Sequence, residues 1–409
     1  MSLHLPSLSH HRGFVAFWLS LVCSGIALEM TSLAVAWQMY ATTGKASDLG
    51  LIGLAHFVPA LLLALPGGHL ADRYDRRSLV MVADLLGAVA ALALAMASLT
   101  HSPGRGWLLA AVGLGGAAAA IRRPALQSLV PGLVPKAMLA QAYAATSVAG
   151  EATVVAGPVI GGLLYLTGSL TVYAAAGGLM VGSALLLARL RYVPEPLDAG
   201  AASAVDLFAG LRFIRARPDL LGIISLDLFA VLLGGATALL PMFAKDILHA
   251  GPTGLALLRI APSVGALLLG LWLSRHPPQH RVGMRMFGCV AGFGVATIVF
   301  GLSTHLWLSM LALAALGAFD MVSVVIRGTL MQMETPGHMR GRVGAVNGMF
   351  IGTSNQLGEF ESGMLAAWLG AVPAVVIGGC GTLMIVALWM RLFPSLRHRN
   401  TLKCKPDVP

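Results

Sequence analysis

The sequence predicts an all-α membrane protein of twelve transmembrane helices in two pseudo-symmetric six-helix bundles. Three observations predict it: apolar runs of helix length, basic residues confined to alternate loops, and residue patterns that recur half a chain apart. Of 409 residues, 57% are hydrophobic and 11% charged, against about 25% charged in an average soluble protein. Mean hydropathy is +0.81.

Apolar segments long enough to span a bilayer fall at roughly 13–40, 48–68, 79–100, 106–128, 140–166, 171–190, 219–244, 252–273, 284–303, 306–330, 343–369 and 372–393. The first run is too long for the core of a leader peptide and has no small-x-small cleavage site before the next span. Its "LVCS" stretch is not a lipid-attachment signal, because Val22 precedes Cys23. No disulfide framework or metal-ligand spacing is expected from the four cysteines.

The net charge of +10 would suit nucleic acid, but its placement argues for topology. With both ends cytoplasmic, only Lys45, Arg105 and Lys245 fall in outer loops, and Arg122, Arg123, Arg259 and Arg327 fall inside spans. The remaining Lys and Arg are cytoplasmic, which fixes the orientation by the positive-inside rule. No nucleic-acid partner is expected.

The two halves repeat. His56, Pro59 and Gly67 return as Arg259, Pro262 and Gly270, each 203 residues later. Ile121-Arg122 returns as Ile326-Arg327, an offset of 205. "VPKAM" (134–138) pairs with "TPGHM" (335–339), and "GPVIGG" (157–162) with "GEFESG" (358–363), both at 201. Residues 1–190 and 219–393 are therefore expected to be the two bundles. Residues 191–218 form a cytoplasmic linker and 394–409 a cytoplasmic tail. In the linker, Leu207, Phe208, Leu211 and Ile214 share one helical face, with Arg212 and Arg215 toward the other. That pattern predicts an amphipathic helix on the cytoplasmic surface, with a covering role and no regulatory one.

The loop after the second span reads "GGHLADRYDRRSLV" (67–80). It resembles motif A of the major facilitator superfamily, with Gly68, Leu70, Ala71, Asp72, Arg73, Arg76 and Arg77 at the matching positions. Asp75 stands where the family usually has a second glycine. "GPVIGG", with Gly157, Pro158, Gly161 and Gly162, resembles the core of motif C, associated with antiporters. Together with "TPGHMRGRVGAVNG" (335–348), the pattern is similar to the branch of siderophore and drug exporters. The resemblance implies alternating-access transport and a conformational gate at Gly68, Asp72, Arg73, Arg76 and Arg77. It also implies that spans 1, 4, 7 and 10 line the cavity. Physically, a carboxylate at a helix junction accepts hydrogen bonds from free helix N–H groups. The arginines can pair with carboxylates or lipid phosphates, or only set topology.

Nucleotide-driven pumping is not expected, since Gly44-Lys45 lacks the upstream glycine of a phosphate-binding loop. No catalytic triad, metal set or redox pair stands out, so neither enzyme activity nor a cofactor is expected.

Ionisable residues within spans are functional hypotheses by default. At 1.5 Å per residue, Glu29 and Glu359 lie about 24 Å from the cytoplasmic ends of spans 1 and 11. His56 and Arg259 lie about 10–13 Å from the outer side. These four make an outer tier; Arg122, Glu151, Asp227 and Asp320 make an inner one. A carboxyl in weakly polar surroundings exchanges protons nearer neutral pH than one in water, so Glu29 and Glu359 are the leading proton-coupling candidates. Direct binding of a cationic substrate, or pairing with Arg259 or His56, is the alternative. Asp84 is expected to pair with a nearby arginine, His56 to be a hydrogen-bonded packing residue, and Arg327 to be a surface anchor. Trp37, Gln38 and Tyr40 suit an interface belt or a binding wall. Asn355, Gln356, Glu359 and Ser362 share one face of span 11. Glu361 lies about 200° away and is expected to be a helix-pairing residue.

The expectation is a monomeric secondary transporter of the bacterial inner membrane. It exports a small organic molecule, siderophore or drug-like, in exchange for protons, with the lipid bilayer as its surroundings. A proton-coupled importer of a small metabolite is the alternative. A non-transporting receptor or scaffold fits the duplication less well.

Overall fold

The computed structural model describes residues 8, 11–100, 103–190, 204–276 and 280–401, without the side chains of residues 65, 69, 71, 72, 100, 136, 204–208 and 338. Residues 191–203 of the predicted linker and 402–409 of the tail lie outside these stretches. The described residues form helices α1 (Arg12–Thr43), α2 (Ala46–Leu62), α3 (Ala64–Arg73), α4 (Arg76–Thr100), α5 (Arg105–Leu129), α6 (Leu139–Tyr165), α7 (Ser169–Ala188) and α8 (Ala204–Ala216). These continue as α9 (Pro218–Leu233), the one-turn α10 (Leu240–Met242), α11 (Gly251–Arg275), α12 (Val282–Leu302), α13 (Leu306–Glu334), α14 (Arg340–Leu369), α15 (Ala371–Leu392) and the short α16 (Pro394–Arg397).

Among the described residues, nine helical runs are long and apolar enough to cross a membrane, counting Pro218–Ile247 as one. The predicted spans at 48–68, 106–128 and 343–369 are also helical but fall outside the nine. α2 has 17 residues; α5 carries Arg105, Arg122 and Arg123, and α14 carries Arg340, Arg342, Glu359 and Glu361. α2 falls outside the nine by its length, whereas α5 and α14 are the less apolar helices.

The chain divides into two compact units. One holds residues 1–44, 54–201 and 251–257; the other holds 45–53, 202–250 and 258–409. In the first, α1 packs on α6 and α7, and α4 packs on α5 and α7. In the second, α9 packs on α14 and α15, and α12 packs on α13 and α15. Each pairing in one unit is the image of a pairing in the other, displaced by about half the chain. The short turns repeat too. Gly168 before α7 and Gly370 before α15 have φ of +116° and +91°, a backbone region that costs glycine nothing.

Each unit has its own core. Phe14, Phe17, Leu129, Val130, Met138 and Leu187 close the first. Leu226, Phe287, Ile326 and Trp389 belong to that of the second. Between α1, α4 and α7 the contact is built from Ala27, Ala88, Ala91 and Ala176, small residues that let helix backbones approach in the absence of a hydrophobic driving force.

Two local findings depart from a row of straight rods. The predicted span 219–244 is interrupted. α9 ends at Gly234, then a 3-10 turn (Ala236–Leu239), α10 and a π-turn (Phe243–Ile247) follow. At the break the chain needs a glycine, since a Cβ on Gly235 would lie 2.6 Å from the Gly358 carbonyl oxygen of α14. The amphipathic helix α8 covers the start of α14: Ile214 is buried with Ile224, Val343 and Val346, and Leu211 packs on them. The side chains of Leu207 and Phe208 lie outside the described residues.

Candidate functional site

The repeated arginines sit in two buried clusters, one per unit. In the first, Arg122 on α5 donates through Nε to Asp84 Oδ1 on α4 at 2.8 Å, and through Nη2 to Ser24 Oγ on α1. Asp84 is 3% exposed, and Ser183 Oγ on α7 donates to its second oxygen at 2.6 Å. Four helices meet on one neutral pair, which satisfies both charges internally. Asp84 has the arginine partner that its position predicts. Arg122, placed in the inner tier, is held inside this cluster.

In the second unit, Arg327 on α13 is salt-bridged to Asp227 on α9. Its Nη2 lies 3.7 Å from Asp320 Oδ1, two turns back on α13, and its Nε donates to the Ser323 carbonyl at 3.3 Å. The expectation of a surface anchor is corrected: Arg327 is buried. A guanidinium at that depth requires counter-charge, and Asp227 and Asp320 supply it. Asp227 stands near where Ser24 would fall in the repeat, so a hydroxyl partner in one half is a carboxylate in the other.

Of the outer tier, Glu29 and His56 belong to the first unit, and Arg259 and Glu359 to the second. Glu29 on α1 packs directly against Gly157 on α6, so closely that a Cβ there would strike the Glu29 side chain. Farther along the same pair of helices, a Cβ on Gly161 would sit 3.1 Å from Met30 Cα, and one on Gly25 would sit 2.7 Å from Thr153 Oγ1. The motif C-like residues Gly157, Pro158, Gly161 and Gly162 are all buried. Three of them are a helix-contact surface: Gly157 and Gly161 receive α1, and Gly162 receives Pro252 and Ala256 of α11.

Glu359 on α14 lies against Gly53 near the start of α2, where a Cβ would be 3.0 Å from Oε2. The Arg259 guanidinium on α11 is within electrostatic reach of it. Glu361 faces away and accepts from Ser362 Oγ at 3.4 Å. The two carboxylates of one helix therefore have different surroundings. His56 is not the hydrogen-bonded packing residue expected. Its backbone packs under Gly116, while its Nδ1 is buried without a hydrogen-bond partner. Glu151 is exposed. Gln38 and Tyr40 are buried, and Gln38 Oε1 accepts from Tyr173 Oη of α7 at 2.6 Å. Gln38 thereby ties α1 to α7.

The motif A-like loop has a local role that its arginines and Asp75 share. Asp75 is the N-cap of α4: its Oδ1 accepts from the Arg77 N–H at 3.2 Å and its Oδ2 from Ser78 Oγ at 2.7 Å. Arg76 donates to the Ser128 carbonyl at 2.9 Å, and Arg77 to the Leu190 carbonyl at 2.8 Å. Those carbonyls end α5 and follow α7, where cations are favourable. Arg76 and Arg77 thus bind helix ends within their own unit, and Arg77 also pairs with a carboxylate, its Nε lying 3.6 Å from Asp75 Oδ2. Arg73 is exposed, a Cβ on Gly68 would meet open space, and the Asp72 side chain lies outside the described residues. Sequence reasoning missed the cap, although an Asp before "RRS" is an N-cap signal. It also missed the break at Gly234-Gly235, whose signal is a glycine pair inside a span.

Apolar helices paired twice in one pattern, with ionisable side chains held inside the spans, define an all-α multi-pass membrane transporter. The chain belongs to the Major Facilitator Superfamily, whose sequence profile matches residues 17–359. It is a transporter and not an enzyme. It is 30% identical to the enterobactin exporter EntS of Escherichia coli (strain K12), over 97% of this chain and 95% of the relative. With the enterobactin exporter EntS of Citrobacter koseri it shares 29% identity, over 100% of this chain and 97% of the relative. The same fold occurs in a mutant of the nucleoside transporter NupG, with a TM-score of 0.74 and 13% identity over 93% of this chain and 100% of that one. A bacterial homolog of the human lysosomal transporter Spinster, inward-facing and occupied, gives a TM-score of 0.72 and 16% identity over 97% and 99%.

Proposed function

We propose that the protein exports a small organic molecule across the bacterial inner membrane by alternating access, in exchange for protons. The observation that carries this reading is the similarity, over nearly the whole of both chains, to proteins named enterobactin exporters. Enterobactin, or another siderophore, is the first substrate to test, and a drug-like compound the second. The protein works as a monomer with both ends in the cytoplasm, as the placement of Lys and Arg supports. Residues 1–190 and 219–393 act as the two moving halves.

Glu29 and Glu359 are the proposed coupling carboxylates of the outer tier. Each sits where a glycine brings a second helix against it, Gly157 for Glu29 and Gly53 for Glu359. A change of charge at such a contact alters how tightly the two helices hold. Arg259 balances Glu359, and Asp72 gates the cytoplasmic side.

The test is flux in proteoliposomes under an imposed pH gradient, with enterobactin as first substrate. Uphill movement in exchange for protons supports the reading. Movement in the same direction as protons makes the protein an importer, and none across a substrate panel argues against transport of this class. Glu29→Gln and Glu359→Gln are expected to uncouple flux from the gradient; full gradient-driven transport in both would remove them as coupling residues.

A further inference from the structure

The two arginine clusters are images of one another, yet they are not equally complete. In the first, Arg122, Asp84, Ser24 and Ser183 satisfy each other. The second has one charge more and one hydroxyl fewer. At an offset of 205, Asp320 stands where the first half has Gly115, and Ser323 where it has Ala118. Arg327 is engaged by Asp227 and by the Ser323 carbonyl, leaving Asp320 with a single long contact at 3.7 Å. The Asp320 side chain is 45% exposed, against 14% for Asp227. Ser323 is 2% exposed, and its hydroxyl has no hydrogen-bond partner.

Asp227, Asp320 and Ser323 line one cavity of about 10 Å³, walled otherwise by Ala230, Val231, Val290 and Phe293. That volume holds about one water molecule, whereas organic ligands occupy pockets of about 300–1,000 Å³. The cavity's enclosed part has room for a water or an ion, and it opens on the side of Asp320. A metal cation needs several oxygen ligands at once and is repelled by the adjacent Arg327 guanidinium. A proton needs one carboxylate oxygen.

We propose that Asp320, with Ser323 and the Arg327–Asp227 pair beside it, is a proton-binding station of the second unit, additional to Glu29 and Glu359. It rests on the proton-exchange reading only for the identity of the ion. Taking up a proton converts the Asp320 carboxylate to a carboxylic acid, and the cluster goes from net −1 to neutral. The new O–H becomes a donor to a water in the cavity, which can bridge to Ser323 Oγ. Losing the proton restores a carboxylate that competes with Asp227 for Arg327. Among the described residues, the charged groups facing Asp320 are Asp227 from α9 and Arg327 from its own helix; α12 presents Val290 and Phe293, and α11 packs on α13 through Pro262 and Gly270. Protonation thereby sets how firmly α13 is tied to α9.

The experiment is infrared difference spectroscopy of the full chain in lipid nanodiscs, stepping pH without substrate and reading the carbonyl stretch of protonated carboxyl groups. One component is expected to vanish in Asp320→Asn, to reappear at a shifted frequency in Asp320→Glu, and to titrate at a different pH in Ser323→Ala. It persists in the Glu29→Gln, Glu359→Gln double variant. An unchanged spectrum in monodisperse Asp320→Asn overturns the proposal. Should that variant not fold, an unmoved band in Asp320→Glu does the same. Displacement of the component by NaCl but not by choline chloride at constant pH would make the site a sodium site and also overturn it. Because no substrate enters the measurement, failure to find export leaves this result standing, and its failure leaves export standing.

Discussion

Asp84 on α4 holds Arg122 on α5 through a 2.8 Å salt bridge between two helices that sequence alone separates by a loop. With side chains 3% and 14% exposed, the pair has little water to fall back on. Arg122→Ala is expected to cost about 3–5 kcal/mol, because it leaves a buried uncompensated carboxylate. The double variant Arg122→Met, Asp84→Leu should recover most of that. Thermal unfolding in detergent checks both, and a double variant as unstable as the single would show that the pair itself is required.

Gly157 is a contact residue of Glu29, so its size is critical. Gly157→Ala places a Cβ against the Glu29 side chain and 3.2 Å from the Ile26 carbonyl oxygen. Overpacking of this kind costs about 1–3 kcal/mol. On the same helix, a Cβ at Gly150 would meet open space, and Gly150→Ala should be silent. Melting temperatures of the two variants, with flux measured alongside, decide whether the motif C-like glycines act through this contact.

Asp75 caps α4, which makes the departure from the family's usual glycine useful. Asp75→Ala should cost about 1 kcal/mol, while Asp75→Asn or Asp75→Gly should cost only a few tenths. Hydrogen exchange of the first turn of α4 reads the effect locally. Equal protection in Asp75→Ala and wild type would remove the cap from the account.

Arg399 ties the segment after α15 to the rest of its unit. It pairs with Glu334 at the end of α13 and lies 3.6 Å from Asp219 at the start of α9. Ser395 Oγ donates to the same aspartate at 2.5 Å, and the Gly283 N–H donates to the Arg399 carbonyl at 3.0 Å. Arg399→Ala is expected to leave two carboxylates facing each other and to speed proteolytic removal of residues after Phe393 several-fold. Arg399→Lys should restore part of the protection, since a lysine keeps the charge but not the fork of donors.

The sequence by itself determined the class of this protein. Composition, span length and charge placement are local quantities, each readable along the chain, and the repeat at 201–205 residues exposed the duplication. It also marked the ionisable side chains within the spans, because such a residue in an apolar run is conspicuous wherever it points. What it could not supply were partners. Arg327 read as a surface anchor because distance from a span end says nothing of which helix packs alongside. Only the packing of α9 and α13 brings Asp227 onto it. Glu359 and Glu361 differ by two positions in the chain, yet Gly53 of α2 stands against the first and not the second. Gly235 is a glycine in any reading, but the reason it must be one is the closeness of Gly358, 123 residues on. Burial in a membrane makes every polar group need a partner, and which partner it finds is decided by helix contacts between segments far apart in sequence.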